Sequence, residues 1–359
     1  MVRQVQSFYS RRKVKNRMRI GVVSGLVIII VFIGFKYGGR LFGGNEEQPA
    51  AASAKIKVES QAKTPVVMEH RPAPRPAVRP APRPAARPAP EPKVSQAIPD
   101  TMSGPDPKVS ELINEASSLV NGKPAKVIEA RDRLNEALSM PMNNAQRTVI
   151  KERLSELSKE WLFSRSIFPQ DKLCSRYKVE PGNLLSSIAR EYKVPWEALM
   201  EINRISRPEL LKAGEIIKVI RGPFHVRVYR STFTMDLYLQ ETFVRSFRVG
   251  IGRPGRETPK GMWRVQPGGK MISPRWTDPD THKTYTAEDP DYPLGSRWIA
   301  LEGISGEAKG RTGFAIHGTK KPEEIGTAGS RGCIRLYNGD AILIYNLLKP
   351  GVSRVEVVD

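Results

Sequence analysis

Twenty consecutive residues, 71–90, repeat a proline-containing tetrapeptide and set the first limit on how this chain folds. They read RPAP-RPAV-RPAP-RPAA-RPAP, with proline at the second position of every unit. Proline at this density removes backbone donors and fixes φ, which forbids helices and sheet ladders and favours a polyproline II rod of roughly 60 Å. We therefore predict that residues 38–107, rich in Ala, Pro and Arg, are a disordered linker. A PxxP recognition motif is the alternative interpretation of the repeat.

An apolar run before this linker predicts a membrane anchor. Residues 20–35 carry no charge, and residues 1–19 carry seven Lys or Arg side chains and no acid. A helix over residues 20–37, whose flanking basic side chains reach the interface, can span a hydrocarbon core of about 30 Å. The positive-inside rule makes residues 1–19 a basic cytoplasmic tail and places the later residues outside. A cleaved signal peptide is the alternative, but the nearest small-residue site, 52–54, lies far beyond the apolar run.

The formal net charge of +21 is distributed in a way that argues against nucleic-acid binding. Residues 1–19 and 71–90 hold 12 basic side chains and no acid, so most of the excess charge lies in the tail and the linker. No basic groove on a folded domain is predicted, while attraction to an anionic polymer or to lipid head groups stays open. An anchor followed by a long spacer suits a single-pass protein of the inner membrane with its later domains in the periplasm.

Residues 108–165 have a helical pattern. Apolar residues recur every three or four positions over 109–120, 125–138 and 145–162, with Asn121-Gly122 between the first two runs. The small and apolar residues of the first two runs resemble a tetratricopeptide-like helical pair, in a single copy. A helical spacer and a binding site for a protein partner are both open as roles.

Residues 176–220 predict a small strand–helix–helix–strand unit. The sequence YKVEPGNLLSSIAREYKV, a second helix ending at Asn203, and LKAGEIIKVI give this unit a resemblance to the LysM module. The LysM family binds the N-acetylglucosamine sugars of peptidoglycan or chitin, so the resemblance implies peptidoglycan as a partner. It places the glycan groove at Gly182, Asn183, Leu184 and Asn203, together with the loop 205–211. The family's usual acidic–hydroxyl pair is Asn183-Leu184 here, which removes one hydroxyl.

Residues 224–359 are dominated by strand patterns separated by Gly/Pro turns. The predicted strands cover residues 224–229, 234–240, 243–249, 261–265, 297–301, 314–317 and 352–358. Only residues 339–348 have a helical pattern. We expect a β-rich sandwich or barrel with one helix.

The chain has two cysteines, and one of them follows a histidine at a suggestive distance. His317-Gly318 precedes Ser330-Arg331-Gly332-Cys333, so a possible base and a possible nucleophile lie within 16 residues. Glycine beside the cysteine fits an exposed thiol with backbone N–H groups nearby, which is what attack on a carbonyl requires. We expect Cys333 to be a free thiol and Cys174 to be a small buried residue. No His or Cys pair has the spacing of metal ligands, so neither a metal nor another cofactor is predicted.

Four blocks of the C-terminal region resemble the L,D-transpeptidase catalytic domain of the YkuD type, in the family's order. They are VRVYRSTFTMDLYLQETFVRSFRVGIGRPGRETPKGMW, DYPLGSRWIAL, GFAIHGT and SRGCIRLYNGDAILIYNLLKPGV. The resemblance implies that Cys333 attacks the third residue of a peptidoglycan tetrapeptide, expels D-alanine and passes the acyl group to a stem-peptide amine as a 3→3 cross-link. It also implies that His317 takes the thiol proton and that the carbonyl of Gly318 orients the imidazole.

The resemblance and the local charges give roles to the remaining signature residues. The N–H groups of Gly332 and Cys333 are expected to bind the oxyanion. Ser330, Arg331 and Arg335 are candidates for substrate contact, and the two arginines are also expected to favour the thiolate. A structural role for Ser330 and a salt bridge within the fold for Arg335 are the alternatives. Arg331 departs from the family, which often has His at this position.

Three other functions remain open at the level of sequence. Water as the acceptor would make the protein an L,D-carboxypeptidase that trims tetrapeptide stems. An envelope protein as the acceptor would make it a protein-attachment enzyme. The anchor, the rod and the LysM module would also suit a wall-binding tether whose last domain is inactive, although the paired His317 and Cys333 argue against that.

Overall fold

The computed structural model describes residues 104–359. The basic tail 1–19, the predicted transmembrane helix 20–37 and most of the linker 38–107 lie outside these residues. Within residues 104–359, no helix has the length and apolar character needed to cross a membrane.

Three helices form the first part of the described chain, as the apolar periodicity predicts. They are α1 (Pro107–Asn121), α2 (Val127–Leu138) and α3 (Asn144–Trp161). α1 begins with Pro107 after Asp106, whose side chain accepts a hydrogen bond from Val109 N, and Asn143 caps α3 in the same way. Hydrogen bonds between Gln146 and the backbone of Asp106 join the starts of α1 and α3. The buried apolar faces of the three helices form one core.

The next unit has the predicted order of two strands around two helices. Its elements are β1 (Cys174–Lys178), α4 (Leu185–Glu191), α5 (Trp196–Asn203) and β2 (Ile216–Ile220). The two strands are antiparallel, with Cys174 opposite Ile220. Cys174 is buried and unpaired, as expected, and burial raises its pKa to about 12, so its thiol stays protonated at neutral pH.

The C-terminal part of the chain is built from twelve strands and one helix. The strands are β3 (Phe224–Tyr229), β4 (Thr234–Leu239), β5 (Thr242–Arg248), β6 (Ile251–Gly252), β7 (Gly261–Ile272), β8 (Trp276–Thr277), β9 (Thr284–Tyr285), β10 (Arg297–Gly303), β11 (Phe314–His317), β12 (Ala328–Ser330), β13 (Ile334–Arg335) and β14 (Arg354–Val358). The helix is α6 (Asn338–Leu347). All seven strands and the helix that the sequence predicts are present.

Eight of these strands make one mixed sheet in the order β13-β11-β10-β7-β14-β3-β4-β5. β14 pairs in parallel with β3 and β13 pairs in parallel with β11, while the other neighbours are antiparallel. α6 packs on the face that carries Arg297, because the guanidinium of Arg297 lies 5.3 Å from the centre of the Tyr345 ring. After β5, Gly250 exchanges backbone hydrogen bonds with Arg335 of β13. The residues that follow the edge strand β5 therefore pair with β13, the strand at the opposite edge of the sheet.

β7 extends well beyond its predicted end at Val265. The sequence Pro267-Gly268-Gly269 suggests a turn, yet the strand continues to Ile272. The register explains this, because Leu301 pairs with Val265 whereas Ile299 pairs with Lys270, so the extra residues of β7 form a bulge. A bulge accommodates proline and glycine without ending the pairing.

The helical segment packs against the other two units. The ammonium of Lys151 in α3 lies 2.6 Å from the fully buried carboxylate of Asp236 in β4. The N–H of Phe243, on the edge strand β5, donates to Asn135 Oδ1 of α2 at 2.8 Å. Lys218 of β2 is buried, and its ammonium donates to the backbone carbonyls of Trp161 and Ser164. Part of the surface that the sequence left open for a protein partner is therefore covered by the chain itself.

Candidate active site

Two neighbouring strands bring the predicted base and nucleophile together. β11 and β13 run parallel, with His317 beside Arg335. Continuing this register places Cys333 beside Ala315, whose backbone makes a hydrogen bond to the thiol. Alternate side chains share a face of a sheet, so Cys333, His317 and Arg335 lie on one face. His317 and Cys333 are diagonal neighbours on that face, about 8 Å apart between Cα atoms, which lets their side chains meet.

Ser330 fixes the turn that carries the nucleophile. Its hydroxyl donates to the carbonyl of Cys333 at 2.6 Å and accepts from Gly332 N at 3.1 Å. The side chain is buried, so its predicted contact with substrate is wrong and the structural alternative holds. Gly332 has φ +110°, and a Cβ there would lie 2.6 Å from the Phe314 ring, so only glycine fits.

A second hydroxyl, which the sequence analysis missed, holds the same turn from the opposite side. Thr258 Oγ1 donates to the carbonyl of Gly332 at 2.9 Å and accepts from Gly252 N at 3.0 Å. Thr258 is buried between β6 and β7, in the block ETPKGMW, where no local signal distinguishes it from other turn threonines.

The expected oxyanion donors are not equivalent. The N–H of Gly332 donates to Ser330 Oγ at 3.1 Å, so this predicted oxyanion donor already has a partner in the structure. The turn that positions Cys333 also sets the direction of the Gly332 N–H. The Cys333 N–H is the member of the predicted pair that Ser330 does not engage.

A backbone carbonyl fixes the tautomer of the candidate base. His317 Nδ1 lies 2.6 Å from the carbonyl oxygen of Gly318, the contact that the family resemblance implies. A carbonyl only accepts, so Nδ1 carries the proton and Nε2 is the nitrogen of the neutral ring that can accept one. Trp298 of β10 stacks on the imidazole with ring centroids 5.5 Å apart, which further restricts its orientation.

His317 is buried and Cys333 is half-buried, and desolvation favours the neutral form of both side chains. It lowers the pKa of His317 to about 4, and the nearby charge of Arg335 acts in the same direction. Burial also raises the pKa of Cys333 to about 11, opposed by the Ala315 hydrogen bond. The expected stabilisation of the thiolate by the two arginines is not found, because desolvation dominates. These two shifts disfavour a preformed pair of thiolate and imidazolium.

Arg331 is tied to a neighbouring hairpin. Its guanidinium lies 2.9 Å from Asp278 and 2.8 Å from Asp280, in the segment between β8 and β9, and Arg256 also pairs with Asp280. Burial alone would raise the pKa of Asp278, but hydrogen bonds from Asp280, Arg331 and Thr281 lower it below its ordinary value. The predicted role of Arg331 in substrate contact is replaced here by a link between the nucleophile turn and the hairpin.

Arg335 is likewise paired within the fold. Its guanidinium contacts the carboxylate of Glu324, in the short turn Pro322–Glu324. Arg335 therefore makes a salt bridge within the fold, which is the alternative interpretation. Its charge is already paired, so the structure does not support the prediction that Arg335 binds a substrate carboxylate. Burial lowers the pKa of Arg335, and its charge contributes to the neutral state of His317.

The four predicted glycan contacts separate into two groups. Gly182 and Leu184 are exposed in the turn between β1 and α4, and the side chain of Asn183 accepts hydrogen bonds from Tyr177 OH and Glu180 N. Asn203 is buried, and its amide bonds to the backbone of Leu199 and Lys218. Asn203 therefore joins α5 to β2, and its prediction as a glycan contact is wrong because no polar atom faces outward.

The side chains that could bind a metal ion are dispersed in the described part of the chain. Within residues 104–359 there is no cluster of three or more His, Cys, Asp or Glu side chains at metal-binding distances. The pair of His317 and Cys333 is the reactive arrangement that the fold assembles.

Comparison with known proteins agrees with this geometry. The L,D-transpeptidase catalytic domain model of the YkuD type matches residues 223–357, and the LysM domain model matches residues 177–219. A Bacillus subtilis protein named "Putative L,D-transpeptidase YqjB" is 30% identical over 140 residues, which cover 38% of this chain and 73% of that protein. The chain belongs to the L,D-transpeptidase family.

Other members of this family of peptidoglycan enzymes match a larger part of the chain. The Bacillus licheniformis protein named "Putative L,D-transpeptidase YkuD" is 28% identical over 187 residues, covering 50% of this chain and 97% of that protein. Among solved structures, an L,D-transpeptidase from Mycobacterium smegmatis aligns with a TM-score of 0.29 and 16% identity, over 41% of this chain and 64% of its own. The match to the LysM model implies that this transpeptidase binds peptidoglycan.

Proposed function

We propose that this protein is a membrane-anchored L,D-transpeptidase that forms 3→3 cross-links in the periplasm through a thioester on Cys333. One observation carries the proposal: the Gly318 carbonyl holds the Nδ1 proton of His317, which leaves Nε2 as a base on the face of the sheet that carries Cys333. Its anchor and compartment rest on the apolar run 20–35 and the basic residues before it.

The first half-reaction acylates the enzyme. Nε2 of His317 takes the thiol proton as Sγ of Cys333 attacks the carbonyl of the diamino acid at position three of the stem. We expect the Cys333 N–H, at the end of the turn held by Ser330 and Thr258, to stabilise the oxyanion. The C–N bond then breaks, His317 returns the proton to the departing amine, and D-alanine leaves the thioester behind.

The second half-reaction transfers the acyl group. The side-chain amine of a diamino acid on a neighbouring stem attacks the thioester and loses a proton to His317. The C–S bond breaks, and the sulfur of Cys333 recovers its proton from the imidazole. The product is an amide between two position-three residues, and the enzyme returns to its neutral resting state.

Mass spectrometry of products from purified disaccharide-tetrapeptides tests the proposal. The wild type should release D-alanine and form dimers, Cys333→Ala should form neither, and Cys174→Ala should act like the wild type because that thiol is buried away from the site. Equal turnover by the wild type and Cys333→Ala would refute the cysteine mechanism.

The same assay separates the alternative functions. Tripeptide without dimer, even at high acceptor concentration, would show carboxypeptidase activity. Absence of all products and of carbapenem labelling at Cys333 would favour the wall-binding tether. Dimer formation only when an envelope protein is supplied, as an adduct to that protein, would identify protein attachment.

The topology has its own test. Cysteines introduced in the linker and the tail should react with a membrane-impermeant maleimide in intact spheroplasts only when they lie after residue 40. Labelling before residue 19 would contradict the orientation, and release of the protein in a carbonate wash would contradict the anchor.

A further inference from the structure

A groove of about 580 Å³ lies between the LysM module and the catalytic domain. One wall is helix α5 with the residues that follow it, up to Ser206. The other wall is formed by Ile272 at the end of β7, Arg297 at the start of β10, and helix α6. Ligand sites commonly form at such domain junctions.

Polar contacts hold the two walls at a fixed separation. Glu197 of α5 pairs with Lys270 of β7 at 3.1 Å, and the Lys270 side chain is only 7% exposed. The Asn346 amide of α6 donates to Glu201 of α5 at 3.2 Å. Lys270 also lies 4.2 Å from the centre of the Tyr345 ring. The groove is therefore formed before any ligand enters.

The lining has the chemistry of a sugar site. Trp196 is 38% exposed and Ile272 is 63% exposed, so apolar surface faces solvent on both walls. Glu201, Arg204 and Ser206 supply donors and acceptors around it. Apolar faces with a rim of hydrogen-bonding groups suit a pyranose ring, which is apolar on its C–H face and polar at its edges. The mixed charges of the rim argue against a polyanion.

The groove joins two surfaces that already concern peptidoglycan. Its LysM end includes Ile205 and Ser206, the start of the loop 205–211 of the module. At its other end, the carbonyl of Arg297 accepts from Gly318 N at 3.3 Å, directly beside His317. Arg297 and α6 lie on the face of the sheet opposite Cys333, and Arg297 directly precedes Trp298, whose ring stacks on His317.

We infer that this groove binds an N-acetylated glycan strand, with Trp196 and Ile272 as its two apolar contacts. The inference rests on the proposed function in so far as peptidoglycan is the substrate. The catalytic domain thus supplies part of the glycan site, through Ile272, Arg297 and helix α6.

Binding of an N-acetylglucosamine hexamer, measured by titration calorimetry, tests the inference. The full chain carrying Cys333→Ala is used, so that the result does not depend on turnover. Ile272→Ser should weaken binding roughly fivefold and Trp196→Ala by a similar or larger factor, as expected for loss of one apolar contact. Ile304→Ser is the matched control, because Ile304 is 41% exposed in the same domain but outside the groove, and it should bind like the parent.

Three outcomes would overturn the inference. The first is equal affinity of the Ile272→Ser and Ile304→Ser variants, with weakening only by Leu184→Ala, which would confine the glycan to the LysM module. The second is no hexamer binding at all by the parent. The third is that Ile272→Ser weakens a sugar-free tetrapeptide and leaves the hexamer unaffected. Failure of the proposed reaction is distinguishable, because it would abolish D-alanine release while sugar binding stays intact.

Discussion

At the scale of single residues, the candidate site is defined by two groups that are uncharged at rest. The Gly318 carbonyl fixes the tautomer of His317, and burial lowers the affinity of the ring for a second proton. A neutral imidazole beside a neutral thiol costs little to bury, whereas a buried ion pair would carry a desolvation penalty. The charges nearest to the pair, Arg331 and Arg335, are each neutralised by carboxylates.

The pH dependence of acylation should report these buried groups. Because His317 acts in its neutral form and its pKa is lowered to about 4, the rate should hold steady well below pH 6.5 and fall only as pH approaches about 4. Because the pKa of Cys333 is raised to about 11, no alkaline transition is expected near pH 8.5. The measurement is the rate of carbapenem acylation of Cys333 against pH. An acid limb centred near 6.5 would show that His317 is solvated.

The pairing of Arg331 makes a second prediction at this scale. Asp278→Asn should loosen the hairpin of β8 and β9, because it removes one of the two carboxylates that hold Arg331. Amide exchange over residues 276–285 should become about fivefold faster, corresponding to about 1 kcal/mol for a partly exposed ion pair. Glu288→Gln, which removes an exposed charge three residues after the end of the hairpin, is the control. Unchanged exchange in Asp278→Asn would mean that the hairpin is held by its other contacts.

At the scale of elements, the nucleophile turn depends on its neighbours. The hydroxyls of Ser330 and Thr258 donate hydrogen bonds to the carbonyls of Cys333 and Gly332 in this turn. The positive φ of Gly332, and its lack of a Cβ, allow the backbone to lie close to the Phe314 ring. This turn lies between β12 and β13, strands of only three and two residues. Such short strands provide little pairing, so the hydroxyl hydrogen bonds hold the turn in place.

Gly332→Ala should therefore displace the nucleophile. The added Cβ would lie 2.6 Å from the Phe314 ring and would require a disfavoured φ of +110°. A displacement of about 1 Å costs on the order of 100-fold in rate, so D-alanine release should fall by that factor. Gly339→Ala, where no atom lies within 4 Å of the new Cβ, should keep full activity. Equal rates in the two variants would contradict the packing argument.

The elements that sequence predicts well are those with a repeating pattern. β3 alternates buried and half-buried residues from Phe224 to Tyr229, and its predicted bounds are those observed. Four strands, β8, β9, β12 and β13, are too short to show a periodic pattern. The second half of β7 is not predicted because Pro267 suggests a turn where the strand has a bulge. Asn203 was misjudged because the periodicity of a helix does not tell which polar residue turns inward toward a neighbouring strand.

Pairing between side chains that are distant in the sequence also limits what can be predicted about the site. The chemistry and spacing of His317 and Cys333 suffice to propose them, because few other residues can act as base and nucleophile. The partner of Arg331 lies 53 residues away in Asp278, and only the folded sheet brings the two together. No local signal identifies such a partner, so the sequence predicts substrate contact for Arg331 and leaves substrate contact and a salt bridge both open for Arg335.

At the scale of the whole molecule, the helical segment joins the other parts of the described chain. Lys218 reaches from the LysM module to carbonyls of the segment, and Lys151 reaches from the segment to Asp236 in the catalytic sheet. Asn135 caps an N–H on the edge strand β5, which would otherwise offer an open edge.

Removing Lys151 should destabilise this arrangement. Lys151→Met leaves the fully buried carboxylate of Asp236 without its cation, which typically costs about 3 kcal/mol in free energy of unfolding. The double variant Lys151→Met/Asp236→Asn should recover most of the loss, because no charge stays buried. Lys159→Met removes an exposed ion pair from the same helix and should have no measurable effect in urea denaturation. Equal loss in the single and double variants would argue against the pair.

The position of β14 has a consequence for how the molecule is made. β14 follows every other strand in the chain, yet it lies between β7 and β3 in the middle of the sheet. Until residues 354–358 have left the ribosome, β3 has no pairing to β7, and the contacts of Gly250 with Arg335 and of β6 with β12 link the two groups of strands. We therefore expect the eight-stranded sheet to be completed only when residues 354–358 are available, and a frameshift before residue 354 would remove the strand that joins β7 to β3.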